Sequence, residues 1–225
     1  GFTFSSNKNK LIELVKDYVH PETGAIINKD RLELKPSDGR GLAQAKFILK
    51  EGGSLGDLYT QSDLVRDDKG MIQVDNNGNI AKADNMNDIK LGCVFPRANL
   101  AWNNTFSYKG IQVAFLVSAR IGGIVYSATQ AAMDEYGVSE RTAVARDAGG
   151  IMINGRSLID SQKWFETIAT SSGLPQYYTY SATNVRLQEA RIGYTIPRRW
   201  LNNICDINLS LVGRNLWMIY NKAPF

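Results

Sequence analysis

The chain has 225 residues, of which 44% are hydrophobic and 21% charged, with a net charge of +4 and a mean hydropathy of −0.24. That hydropathy and the absence of a long apolar run exclude a helical membrane protein, but not a membrane β-barrel, whose strands alternate polar and apolar residues. The basic residues are scattered, which argues against nucleic acid as a partner. Two cysteines, Cys93 and Cys205, and the single His20 leave little room for a disulfide scaffold, a metal centre or a Ser-His active site.

Both ends of the chain are typical of strands. Residues 1–4 (GFTF) resemble the middle of a strand, and residues 217–225 stop just after a strand-like run. We therefore expect a fragment of a larger protein. Residues 10–50 form a mixed region with strand-like segments at 11–15 and 47–49.

The clearest periodic signal lies in residues 98–126. Apolar and polar residues alternate over 98–108, a turn follows at 108–110, and alternation resumes over 111–122. Two long alternating runs around a glycine-containing turn predict a β-hairpin. Its arms are longer than the ~5–6 residues of an average globular strand and fit a tilted membrane strand.

Residues 127–183 interrupt this pattern. They contain one short helical segment within 133–146 and a polar stretch around Trp164, and we predict a long extracellular loop. Loops this long are unusual inside a compact domain but common on one side of an outer-membrane barrel.

Alternation returns over 189–196 and 207–214, across a connection at 197–203. Arg120, Arg191 and Arg214 all fall on the face opposite the apolar one. That face is solvent-exposed in a soluble sandwich and lines a wet lumen in a large barrel, and periodicity alone does not decide between the two.

Several segments together resemble the SusC/RagA family, the TonB-dependent outer-membrane transporters of Bacteroidetes. The family pattern is approximately LRL…LGYTLP…WL followed by a GRNL strand, with an upstream EGxPIGxxYG segment. The matching segments here, in chain order, are 7–10 (NKNK), 51–59 (EGGSLGDLY), 95–97 (FPR), 106–110 (FSYKG), 184–197 (NVRLQEARIGYTIP), 200–201 (WL) and 211–217 (LVGRNLW).

The resemblance implies an all-β fold: antiparallel strands of a large TonB-dependent-receptor-type transmembrane β-barrel, with long loops on one side. Residues 1–225 would be part of one C-terminal barrel domain of six to eight strands, with the plug and the final strands outside the sequence. It also implies import of oligosaccharides or peptides across the bacterial outer membrane, together with a SusD-like surface lipoprotein and with TonB, which would act through the plug. No catalysis is expected, and a fragment with open strand edges should self-associate.

Three sets of residues are candidates for sites. Arg120, Arg191 and Arg214 are predicted to face the lumen. Aromatic rings stack on sugars, so the aromatic residues of the long loop are candidate substrate contacts. Packing within the loop, or contact with the lipoprotein, is the favoured alternative for each. These residues are Trp164, Tyr177, Tyr178 and Tyr180.

The segment 75–84 resembles a calcium loop that many family members carry. Calcium needs six to eight oxygen ligands, and the segment offers Asp75, Asn77, Asn79 and Asp84. The loop is two residues shorter than the family pattern and has Asn79 at the third acidic position. An Asx-rich turn without metal is therefore the preferred interpretation, and no cofactor is expected.

A second function class stays open on the sequence. A soluble all-β carbohydrate-binding module would also show alternating strands, and it would have both faces of the 98–126 hairpin satisfied in water. The importer instead predicts that the apolar face contacts lipid, detergent or another chain.

Overall fold

The computed structural model describes residues 1–34, 45–84, 86–201 and 204–224. Parts of the predicted mixed region 10–50 and of the connection 197–203, and the terminal Phe225, lie outside the described residues. The strands within the described ranges are β1 (Phe2–Ser6), β2 (Val15–Val19), β3 (Ile26–Lys29), β4 (Arg31–Leu34), β5 (Lys46–Lys50), β6 (Asp57–Thr60), β7 (Asp63–Leu64), β8 (Lys82–Ala83), β9 (Ile89–Cys93), β10 (Ala98–Tyr108), β11 (Ile111–Ile121), β12 (Ile124–Tyr126), β13 (Ile151–Ile153), β14 (Ser157–Ile159), β15 (Thr179–Ser181), β16 (Asn184–Ile196) and β17 (Ile207–Asn221).

Three α-helices and two 3-10 turns complete the secondary structure of these ranges. They are α1 (Ala128–Glu135), α2 (Glu140–Asp147), α3 (Ser161–Ala169) and the 3-10 turns Pro175–Tyr178 and Arg198–Leu201. No helix within the described ranges is long and apolar enough to cross a membrane.

The chain divides into two compact units. That residues 1–225 are part of one C-terminal barrel domain stays a prediction. We call the first unit the wall; it comprises residues 1–8, 95–124 and 181–224. We call the second unit the insert; it comprises residues 9–94 and 125–180, the two long connections between wall strands.

The wall is one antiparallel sheet of five strands in the order β1-β10-β11-β16-β17. β10 and β11 pair in unbroken register from Ala98↔Ile121 to Tyr108↔Ile111, so the predicted hairpin is confirmed. Its turn is Lys109-Gly110, and both residues have positive φ (46° and 87°), as a two-residue type I′ turn requires. A Cβ at Gly110 would lie 2.9 Å from the carbonyl oxygen of Thr195, so glycine is required there for space as well as for conformation.

The wall has fewer than the six to eight barrel strands expected from the resemblance. The strand-like segments of the mixed region 10–50 do not extend the wall sheet; the described part of this region forms β2, β3, β4 and β5, which belong to the insert.

The wall strands are also irregular where β16 meets its neighbours. Register shifts occur between Leu116 and Val117 in β11 and between Leu187 and Glu189 in β16, each a β-bulge or similar irregularity.

The connections of the wall are long at one end and short at the other. Ser6, Ala98 and Ile121 meet at the end from which residues 9–94 and 125–180 leave the sheet. The opposite end carries the two-residue turn of the β10-β11 hairpin and the connection 197–206. This asymmetry is the one that the sequence predicted for a partial barrel.

The insert contains small sheets and the three helices. Its largest sheet has the order β4-β5-β6-β9, and the pairs β2-β3, β7-β8, β12-β15 and β13-β14 are separate two-stranded sheets. Each helix begins at a capping side chain that accepts a hydrogen bond from the first turn: Ser127 for α1, Ser139 for α2 and Asp160 for α3.

The segment 127–183 is therefore not one long loop with a single short helix, as the sequence had indicated. The polar stretch around Trp164 is α3, and Phe165, Ile168 and Leu174 lie in a core that also includes Leu64 and Ile80 from the preceding connection. Enclosing these apolar side chains removes them from water, which stabilises the helices more than their modest length alone would allow.

Candidate functional site

The polar face of the wall brings the three predicted lumen arginines together on one side of the sheet. Arg120 pairs with Asn99 on β10 and Asn184 on β16. Arg191 pairs with Ala114 of β11. Ala114 and Arg120 are six residues apart on this strand, so Arg191 lies on the same face as Arg120. The structure thus confirms that these side chains share the face opposite the apolar one; their position in a lumen stays a prediction.

Arg214 is held on this face by an ion pair. It pairs in register with Glu189 of β16, and its Nε donates to the Glu189 carboxylate over 3.1 Å. The Arg214 side chain is 77% exposed and that of Glu189 is 37% exposed, so this pair contributes little to stability. Nearby, Arg191 donates to the Asn208 side-chain oxygen over 3.4 Å. These contacts orient the guanidinium groups along the face.

The opposite face of the wall is apolar and exposed. Phe4 is paired with Leu100, and Trp102 with Val117, so aromatic and aliphatic side chains form continuous cross-strand rows. Trp102 and Phe115 contact edge to face with ring centroids 4.9 Å apart. Large exposed residues of this face include Phe2, Phe4, Trp102, Phe106, Tyr108, Ile111, Val113, Ile192, Leu209 and Leu211.

The aromatic residues predicted to contact substrate lie in and around the core of the insert. Tyr178 is wholly buried and its hydroxyl donates to the Asp134 carboxylate, so it has no surface to offer a substrate. Trp164 packs edge to face on Tyr177 at 5.9 Å, and both are half-buried. The Tyr180 hydroxyl donates to the Tyr177 carbonyl. The packing alternative therefore describes Tyr178, and the other three remain candidates.

Sequence reasoning missed the buried carboxylate of Asp134 at the centre of the insert. It accepts hydrogen bonds from Gln130 Nε2 at 2.9 Å, from Ser139 Oγ at 2.5 Å and from the Tyr178 hydroxyl at 2.9 Å, and it pairs with the Arg141 guanidinium. Burial raises the pKa of the Tyr178 phenol well above its usual range. The spacing of these donors gives no local signal, because Tyr178 comes from a distant part of the chain.

The insert exposes a different tyrosine at the end of α1. Tyr136 is 73% exposed and lies between two grooves of about 420 and 610 Å³, which are lined from α1, α2 and α3. Gly137 follows it with φ +67°, which ends the helix and leaves the ring at the surface. In the sequence, the glycine that follows Tyr136 was the available signal for a helix end at this tyrosine.

The segment predicted as a calcium-loop candidate forms an Asx turn. Asp75 Oδ1 accepts from the backbone N–H groups of Asn77 and Asn79, both at 2.8 Å, and Oδ2 accepts from the Asn79 side chain. The hydrogen bond from the Asn79 backbone is the main reason that the pKa of Asp75 is lowered. Asp84 instead faces Lys82 at 3.6 Å. Both oxygens of Asp75 are thus engaged by hydrogen bonds within the turn.

In the described residues, no group of three or more His, Cys, Asp or Glu side chains is arranged to hold a metal ion. Both cysteines are free thiols.

No family model matches the chain. A curated protein named TonB-dependent receptor P3, from Formosa agariphila, is 24% identical over 238 residues, which cover 96% of this chain and 22% of that protein.

Two solved structures are similar to this fold. One is described as the RagAB peptide transporter, with a TM-score of 0.53, 15% identity and coverage of 89% of this chain and 22% of that one. The other is the RagAB peptide importer in an open-open state, with a TM-score of 0.55, 12% identity and coverage of 98% and 23%. The chain thus spans less than a quarter of the length of each relative. The resemblance that the sequence predicts is confirmed, and the chain has the fold of part of the barrel of a SusC/RagA-type TonB-dependent transporter.

Proposed function

We propose that the chain is a wall segment of a bacterial outer-membrane importer that takes up oligosaccharides or peptides with TonB-derived energy and a SusD-like lipoprotein. The observation that carries this proposal is the two-faced wall. Its five strands expose large apolar side chains on one face and arginines on the other, as a barrel between lipid and a wet lumen requires.

The topology supports the same proposal. Both long connections leave the wall at one end, which corresponds to the extracellular side of an outer-membrane barrel, where loops are long. At the short-turn end, Tyr108 and Tyr194 pair with Ile111 from its two sides, on the apolar face of the wall. An interfacial aromatic girdle would place tyrosines there. The chain itself contributes no catalytic step in this proposal.

The wall has two open edges, β1 and β17. In an intact barrel these edges pair with strands from other parts of the protein, and in the isolated chain they are free to pair with another copy. We therefore expect the isolated chain to self-associate without detergent, whereas a soluble carbohydrate-binding module would be a monomer.

Neighbouring residues of β17 allow a direct test. Leu211 points to the apolar face and Ser210 to the polar face, opposite Ile192 and Gly193 of β16. The protein at its natural length, with Cys93 and Cys205 replaced by serine, is reconstituted in liposomes with a nitroxide on Leu211→Cys or on Ser210→Cys.

We expect the label at 211 to collide mainly with oxygen dissolved in lipid, and the label at 210 to collide mainly with a water-soluble nickel reagent. Equal access of the nickel reagent to both labels would contradict the proposed wall and favour the soluble module.

A further inference from the structure

We infer that the polar face of the wall holds a binding site for a negatively charged group, a carboxylate or a sulfate ester, of an imported oligosaccharide. The site is a groove of about 320 Å³ centred on Arg120 and Arg186, at the end of the wall from which the long connections leave. This inference rests on the proposed function, since it assigns a substrate class to the same importer.

The register of the sheet builds the groove from two adjacent rows of side chains. The first row is polar on all five strands, and the second brings a guanidinium beside a hydroxyl. In order from β1 to β17, the rows are Ser5, Asn99, Arg120, Asn184 and Asn221, and Thr3, Ala101, Ser118, Arg186 and Met218. Directly paired side chains on one face of a sheet lie ~5 Å apart, so each row presents a continuous set of groups to one ligand.

The charge of the wall strands is strongly one-sided. The five strands contain four arginines, at 120, 186, 191 and 214, and a single carboxylate, Glu189. Glu189 is taken by Arg214. No carboxylate lines the groove around Arg120 and Arg186, so a bound anion meets two guanidinium groups and no like charge.

Arg186 is exposed and makes one hydrogen bond within the described chain, from Nε to the Ser118 hydroxyl over 3.4 Å. This bond fixes the side chain along the face and leaves the terminal nitrogens for a ligand. A guanidinium presents its N–H groups as a planar fork that matches a carboxylate or sulfate in bidentate geometry. Arg186 is therefore suited to recognise the oxyanion itself.

The remaining polar groups of the groove favour a sugar over a peptide as the carrier of that anion. Asn99, Asn184 and Gln188 line the groove with carboxamides, which donate and accept hydrogen bonds as sugar hydroxyls do. Thr3 and Ser5 add hydroxyls from the neighbouring strand.

The test compares charged and neutral probes on the protein at its natural length in detergent. Calorimetry measures binding of a galacturonic acid trisaccharide, its neutral galactose counterpart, a sulfated galactose trisaccharide and triglutamate. We expect the uronate or the sulfated sugar to bind at least ~10-fold more tightly than the neutral sugar. The tighter of the two charged sugars shows whether the site recognises a carboxylate or a sulfate ester.

Arg186→Gln should weaken binding of the charged sugar by ~10-fold and leave the neutral sugar unchanged, and Arg120→Gln should do the same. Arg199→Gln is the matched control, because Arg199 is an exposed arginine in the 3-10 turn at the other end of the wall. Resistance of the folded barrel to unfolding by detergent at room temperature checks that each variant folds. Arg186→Gln is the more secure variant, because Arg186 is exposed.

Equal binding of charged and neutral sugars, preference for triglutamate, or wild-type binding by Arg186→Gln would each overturn the inference. Cellular uptake separates this failure from failure of the proposed function. A protein that imports sugars regardless of charge contradicts only the oxyanion site, whereas a gene deletion that leaves uptake of every probe unchanged contradicts the importer.

Discussion

In the wall, the largest apolar side chains stand on one exposed face of a sheet, whereas in the insert they are enclosed between helices and short strands. Leu211, in strand β17 of the wall, is 75% exposed, and Leu174, just before a 3-10 turn of the insert, is 1% exposed. The wall hairpins bury little of their own apolar surface. Under the proposed function the two units would be stabilised in different solvents, hydrocarbon for the apolar face of the wall and water for the insert.

The charged side chains follow the same contrast. The arginines of the wall lie on one face of the sheet, and its single carboxylate, Glu189, pairs with the exposed Arg214. In the insert, Asp134 is withdrawn from water and saturated by donors from three elements. The insert thus holds its helices together with a buried charge, whereas the charged side chains of the wall are partly or fully exposed.

A pair of leucine substitutions gives the largest expected difference between the units. Leu174→Ala leaves a cavity in the core of the insert and should lower its free energy of opening by about 3 kcal/mol. Leu211→Ala should lower the free energy of opening of the wall by less than about 1 kcal/mol. Under the proposed function, this side chain contacts mobile lipid or detergent chains and not a rigid protein core. Hydrogen exchange of the amides in α3 and β17, measured on the protein in detergent, reports the two values separately.

Similar losses at both leucines would remove the basis of the comparison. A large effect of Leu211→Ala would mean that the apolar face is packed against protein. In that case the wall would belong to a closed sandwich and not to a membrane barrel.

Removing the buried charge of the insert should have the next largest effect. Asp134→Asn keeps the shape of the side chain but replaces an acceptor oxygen with an NH₂ group that faces donors from Ser139 or Tyr178. We expect a loss of about 2 kcal/mol in the opening free energy of α1 and α2. Asp147→Asn, at an exposed carboxylate in α2, is the control and should change it by less than about 0.5 kcal/mol.

The measurement is again hydrogen exchange, compared between the helices and β10. Protection should fall in the helices and stay unchanged in the wall. Equal loss in β10 would show that the two units open together, which the division of the chain into two compact units does not predict.

The sequence predicted the wall well because its signal is local. Alternation with a period of two over 98–122 specifies both the strands and their faces, and the turn at Gly110 specifies the register of the hairpin. The shared face of Arg120, Arg191 and Arg214 followed from the same alternation, although bulges near Leu187 shift the register on β16 and β17.

The insert was poorly predicted because its stability comes from contacts that are distant in sequence. Asn154 makes paired hydrogen bonds with the backbone of Ile72, at 2.9 and 2.8 Å, and Lys163 donates to the carbonyl of Asn77. These contacts join the two long connections into one unit, and neither partner shows a pattern on its own. The burial of Tyr178 also depends on contacts that are distant in sequence. The sequence alone therefore could not distinguish it from an exposed aromatic residue that contacts substrate.

The smallest expected effect concerns acid and the β4-β5-β6-β9 sheet of the insert. The Arg31 guanidinium donates to both oxygens of Asp88 at 3.0 Å, and these hydrogen bonds are the main cause of a lowered pKa of the Asp88 carboxyl. Hydrogen bonding from Lys46 lowers the pKa of Glu33 in the same network. A carboxyl whose folded pKa is below its unfolded value of ~4 stabilises the fold above that pH and loses its contribution as the pH falls through the folded pKa.

We therefore expect hydrogen-exchange protection of β6 to fall by the equivalent of about 1 kcal/mol on acidification from pH 5 to below pH 3, and Asp88→Asn to remove most of that pH dependence. The wall offers the internal reference, because its strands carry Glu189 alone among carboxylates, in an exposed pair. Protection of β10 should change little over the same range. A wall that loses protection in acid as steeply as β6 would show that its stability also depends on ion pairs, which an apolar face in hydrocarbon does not require.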